Sequence, residues 1–176
     1  MSTHNPSGPF VSALRFAAVP TAVSCARAFV RQTLHTWQRP EAAEVAALIT
    51  SELVTNAVKA TGTTDPHPTY AALATVPVIR VRLVLRSTGL IIGVWDASTQ
   101  TPVLQSQHPD AEHGRGLRIV HAESERWGTT YLAENGGKIV WAEIALRRPE
   151  ALSAVRLRPT QPPQPTNRIP TAPALA

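Results

Sequence analysis

Between residues 79 and 86 the chain alternates Ile79, Val81, Leu83 and Leu85 with Arg80, Arg82, Val84 and Arg86. A period of two sends successive side chains to opposite faces of a strand, so this stretch dictates a sheet with one buried face. Ser87-Thr88-Gly89 then turns the chain into a second strand, Leu90 to Asp96.

Other segments carry the helical period. Leu14 to Val19 is predicted as a short strand, after which Val23, Ala26, Phe29, Val30 and Leu34 recur at helical spacing through Trp37. Pro40 stands where a second helix would begin, with Glu41 and Glu44 in its first turn. Val45, Leu48, Ile49 and Leu53 form its apolar stripe, which ends near Ala60-Thr61-Gly62. Residues 61–77 hold three prolines and several threonines and are predicted as a long connection with a short turn at Tyr70 to Leu73. Ala97 to His113 is irregular and polar, and Gly114-Arg115-Gly116 opens a helix with Leu117 and Val120 facing inward. Trp127 to Ala133 and Ile139 to Leu146 flank Asn135-Gly136-Gly137, a hairpin signal, because these residues tolerate the positive φ of tight turns.

The chain of 176 residues suits one domain. Residues 1–10 and the proline-rich stretch 148–176 are expected to be disordered, leaving residues 11–147 as the folded domain. No run approaches the roughly 18 apolar residues of a membrane helix, and no signal pattern opens the chain, so a cytoplasmic protein is expected. Cys25 is the only cysteine, which excludes an internal disulfide, and its apolar neighbours suggest a buried side chain. The net charge of +5 comes from the end of the chain: five arginines and one acid, Glu150, lie from Arg147 onward, leaving 12 basic and 11 acidic residues before it. A near-neutral body suggests no basic groove, and direct nucleic-acid binding is not expected.

Glu52 and Asn56 lie four residues apart on the second helix and so share one face, roughly 6 Å apart at Cβ. A carboxylate beside a neutral amide suits a magnesium–phosphate site. The amide oxygen is a hard neutral ligand for Mg2+, and the carboxylate is free to take a proton. The glycine turn at Gly114 and Gly116 offers backbone amides at a helix N-terminus, a setting for phosphate. Asp96, ending an apolar strand, can accept a hydrogen bond from the exocyclic amine of a base. Each feature alone also fits an ordinary solvated face, turn or cap. The histidines at 108, 113 and 121 show no metal-binding spacing.

Taken in order, Glu52-Leu53-Val54-Thr55-Asn56-Ala57, Val94-Trp95-Asp96 and Gly114-Arg115-Gly116-Leu117-Arg118-Ile119-Val120 resemble the motifs of the GHKL ATPases. Within that superfamily the chain is similar to the anti-sigma-factor serine kinases and their actinobacterial relatives, over about Leu14 to Leu146. The resemblance implies an α/β two-layer sandwich, a mixed sheet covered on one face by helices, with ATP held under a lid at Ala97 to His113. It implies Glu52 as general base for a protein Ser or Thr hydroxyl, Asn56 as Mg2+ ligand and Asp96 as adenine contact. Gly114, Gly116 and Leu117 fall in the phosphate turn, and Arg115 between the glycines is a candidate for a further phosphate contact.

The match has two departures. Ser98 stands where the superfamily usually has glycine, although Trp95-Asp96-Ala97-Ser98 with Pro102 resembles the actinobacterial branch. A threonine near the phosphates is replaced by Lys138 or Ile139, so that donor is lost or taken over by the lysine ammonium. The resemblance implies a protein partner, a sigma factor or an anti-anti-sigma antagonist, and a homodimer through the sheet edge and first helix. The alternative is a non-catalytic module in which nucleotide switches affinity for a partner.

Overall fold

Every second residue of β2 (Val78–Leu85) is buried, namely Ile79, Val81, Leu83 and Leu85. The same alternation runs through β3 (Gly89–Asp96) and β5 (Lys138–Ala145), which bury Leu90, Ile92, Val94 and Asp96, and Lys138, Val140, Ala142 and Ile144. These rows form one floor because the registers align them: Val81 pairs with Val94, and Val94 with Val140. The computed structural model describes residues 9–65, 67–100, 115–133 and 136–146. The expectation for the tail 148–176 lies outside these, as do residues 1–8 of the stretch 1–10 expected to be disordered, whereas Phe10 already belongs to a strand.

The remaining strands are β1 (Phe10–Ala17), longer than the predicted strand, and β4 (Arg126–Tyr131). The order across the sheet is β1-β2-β3-β5-β4, and each neighbouring pair is antiparallel. The expected mixed sheet is therefore corrected in one respect. β3 and β4 do run in the same direction, but the closing hairpin inserts β5 between them, so no parallel pair forms.

Helices α1 (Thr21–Thr36) and α2 (Ala43–Thr61) pack against each other on one side of the sheet. Pro40 starts a short 3-10 turn, Pro40–Ala42, and α2 follows directly from it. α2 lies over β2, β3 and β5 and buries Ile49, Leu53, Val54, Ala57 and Val58. Each such side chain contributes about 1.5–3 kcal/mol when fully withdrawn from water. Leu83→Ala at the centre of the floor would cost about 2–5 kcal/mol. A two-point ion pair ties α1 to α2, with Arg31 Nε and NH2 donating to Glu44 Oε1 and Oε2 at 2.9 and 2.8 Å.

The predicted turn after Tyr70 is a short helix, α3 (Tyr70–Thr75), capped by the Thr69 hydroxyl, which accepts the Ala72 N–H. α4 (Arg115–Glu123) packs on α2 through Leu117 and Val120. Cys25 is exposed, against expectation. The buried stripe of α1 is Ala22, Ala26, Val30, Thr33 and Leu34, and Cys25 lies off that stripe. Among the described residues no helix is long and apolar enough to cross a membrane.

Candidate nucleotide site

α2 packs on both the sheet floor and α4, and Glu52 and Asn56 sit on it at half-buried positions one turn apart. Their neighbours Leu53, Val54 and Ala57 are buried, so packing fixes the rotation of the helix and with it the direction of the polar pair.

Glu52 meets the first turn of α4. A methyl placed on Gly116 would stand 2.5 Å from Glu52 Oε2, so only glycine lets the carboxylate approach the helix start this closely. A helix N-terminus presents unpaired amides and a partial positive charge, and an anion there is stabilised by about 0.3–1 kcal/mol. Leu117 follows Gly116 but its side chain is in the core, at 4% exposure, so toward a ligand it offers backbone alone. Gly114 and residues 101–113 of the expected lid lie outside the described residues, as does the Arg115 side chain.

Asp96 occupies the last inward position of β3 and is 2% exposed. The Ser98 amide donates to its Oδ1 at 2.9 Å, closing a turn around the carboxylate. Lys138 Nζ donates to the same oxygen at 2.8 Å and to the Ser98 carbonyl at 3.3 Å. Both donors converge on Oδ1, and among the described residues none is directed at Oδ2. Ser98, in the usual glycine place, thus serves as a turn residue, and its hydroxyl accepts the Gln100 N–H at 3.1 Å.

The lysine was the residue that sequence reasoning misplaced. Of the two expectations, a lost phosphate donor or one taken over by the lysine ammonium, the second is corrected: register pairs Lys138 directly with Asp96, and both face the helices. The signal was available: 138 is in the same phase as the apolar 140, 142 and 144, and a lysine in an inward phase requires a buried partner. Gly137 secures the approach from the hairpin, with φ +77°, and a side chain there would run into the Asp96 carbonyl. His121, read as no ligand, accepts the Trp127 indole N–H through Nδ1 at 3.3 Å.

The fold therefore sets Glu52 against Gly116, with Asn56 one turn further along α2. Asp96 ends β3, one of the strands over which α2 packs. A helix-backed antiparallel sheet with a carboxylate–amide pair beside a glycine-started helix defines an ATPase domain of the GHKL type. The profile of the histidine kinase-like ATPase domain matches residues 16–144, and the chain belongs to that family. No curated protein matches it.

The residues present fit ATP and Mg2+. The buried aspartate with an open Oδ2 suits a base amine, Asn56 offers a neutral oxygen for the metal, and the start of α4 suits an anion.

Proposed function

We propose that the chain is a cytoplasmic ATP–Mg2+-dependent regulator resembling the anti-sigma-factor serine/threonine kinases. It would transfer a phosphoryl group to a Ser or Thr of an antagonist protein, sequester a sigma factor, or do both. The observation that carries the reading is the position of the Glu52 carboxylate at the first turn of α4, one turn from Asn56.

In this reading Asp96 Oδ2 would accept a hydrogen bond from the amine of adenine, Asn56 would offer its amide oxygen to the metal, and the α4 start with Gly114, Arg115 and Gly116 would hold phosphate oxygens. Bound ATP with its metal supplies a γ-phosphoryl group whose charge is partly neutralised. Glu52 takes the proton of the attacking hydroxyl as its oxygen bonds to phosphorus and the bond to the leaving oxygen breaks. Protein partners and a homodimer remain part of the proposal.

The test is calorimetry of ATP with and without Mg2+. Wild type should bind with metal, Asn56→Ala should lose at least tenfold, and Glu52→Ala should keep binding while losing phosphotransfer. No binding by the wild type would overturn the reading.

A second reading has its own support, because Ser98 stands at the usual glycine place and is used as a turn residue around Asp96. It suits a module in which nucleotide orders the site and switches partner affinity. Stoichiometric phosphate incorporation into a partner would exclude it.

A further inference from the structure

The face of the sheet turned away from the helices has a composition unlike the neutral body suggested by charge counting. Three cross-strand rows define it. Arg15, Arg80, Trp95 and Ile139 stand side by side in the first, and Ala13, Arg82, Gly93 and Trp141 in the second. Val11, Val84 and Ile91 continue into Glu143 in the third. Arg86 borders the row of aliphatics, and the whole forms an open trough of about 780 Å³. The expectation that the body offers no basic groove is corrected: the strand period that buries Ile79, Val81 and Leu83 sends Arg80, Arg82 and Arg86 to the other side.

The charges on this face are not balanced within it. Arg15 and Arg80 are direct cross-strand partners, an arrangement that is destabilising for like charges. The only acid of the five strands on this side, among the described residues, is Glu143. Its Oε2 already accepts Arg126 Nε at 2.7 Å and pairs with Arg126 NH2 at 2.6 Å. Arg15, Arg82 and Arg86 make no ion pair among the described residues.

We propose that this face, left open by the described elements, docks an acidic, amphipathic segment of a partner protein, its carboxylates taken by the arginines and its apolar side chains by the Val84–Ile91 row. The nature of the occupant follows from charge. From Arg147 onward the chain carries five arginines against one glutamate, and residues 1–8 hold no acid, so neither complements the trough. A second copy applied face to face would meet arginine with arginine. Base stacking is poorly served, because the Arg80 guanidinium lies over the Trp95 ring at 5.9 Å, and that indole N–H is committed to the Gly136 carbonyl. A guanidinium held over an aromatic ring is instead oriented for a carboxylate.

The inference is independent of the nucleotide reading and is tested on the full chain by fluorescence anisotropy. Three labelled probes are used: a 12-residue peptide alternating Glu and Leu, its Glu–Ser counterpart of equal charge, and a 12-mer of deoxythymidylate. The Glu–Leu peptide should bind at least tenfold tighter than the other two, and Arg82→Glu should weaken it at least tenfold with the melting temperature kept. Arg15→Gln, which relieves the like-charge pair, should weaken the peptide without loss of stability and so separates docking from folding. Equal binding of the Glu–Ser peptide would overturn the proposal, as would tighter binding of the oligonucleotide. A wild-type dimer in sedimentation that Arg82→Glu dissociates, with no peptide binding, would assign the face to a second copy and overturn it too.

Discussion

Lys138 Nζ lies 2.8 Å from Asp96 Oδ1 while the two side chains are only 4% and 2% exposed. Removing one partner from such a pair strands a charge away from water, at a cost of about 3–5 kcal/mol, whereas replacing both by apolar groups is often neutral or stabilising. Lys138→Met and Asp96→Leu are each expected to lower stability to urea by that order. The double variant Lys138→Met/Asp96→Leu should recover most of the loss and still fail to bind ATP. Additive single effects in this cycle would show that the pair is not coupled.

Gly116→Ala separates folding from function. Gly116 stands in the first turn of α4, where the advantage of alanine over glycine is at most the roughly 0.8–1.0 kcal/mol of a helix interior, and the atom it would strike is the flexible end of Glu52. Thermal stability should hold or rise slightly while the Glu52 carboxylate is pushed from the α4 start. ATP affinity or phosphotransfer should fall about tenfold, a loss of about 1.4 kcal/mol. Unchanged binding and transfer would argue against a role for this close approach.

The two hairpin glycines are expected to respond unequally. Both have positive φ, +65° at Gly136 and +77° at Gly137, so alanine at either carries a backbone cost of about 1–2 kcal/mol. At Gly136 a side chain meets open space. At Gly137 it collides with the Asp96 carbonyl and comes 2.9 Å from Ala97 Cα, adding about 1–3 kcal/mol of overpacking. Urea midpoints should rank wild type, Gly136→Ala, Gly137→Ala, and only the last should also weaken ATP binding.

The Arg31–Glu44 pair fixes a sign for acid sensitivity. Hydrogen bonding from the Arg31 guanidinium, opposed by desolvation and aided by the charges of Arg31 and Arg27, holds the Glu44 carboxyl below the usual carboxylate range. A lowered folded-state pKa stabilises above the unfolded carboxylate value, and this contribution fades as pH falls through the folded value. Glu44→Gln should therefore be less stable than wild type near neutrality and converge with it in acid. Because Glu44 is exposed, added salt should shrink the difference.

The sheet floor was legible because strand periodicity is a local property, and β2 and β3 were placed to within a residue of their observed bounds. Helix α2 and its Glu52–Asn56 face were legible for the same reason. The pairing of β5 with β3 was not, since it depends on which strand the last hairpin inserts beside, and nothing local in 138–145 specifies a neighbour. That gap hid both the Lys138–Asp96 bridge and the absence of a parallel pair. It hid the basic trough too, because Arg15 meets Arg80 only through the register of β1 on β2. Cys25 was misread because apolar neighbours in sequence do not say which side of a helix a residue is on.

Inserting β5 between β3 and β4 has a consequence for how the protein is made. Asp96 leaves the ribosome 42 residues before the lysine that neutralises it, and the strand bearing that lysine is the last element of the sheet to emerge. Until then the buried carboxylate has no counter-charge and β3 has an open edge, so the floor of the site cannot settle during synthesis. A nascent chain halted before residue 138 would carry every motif residue from Glu52 to Gly116 with the Asp96 carboxylate still lacking its lysine.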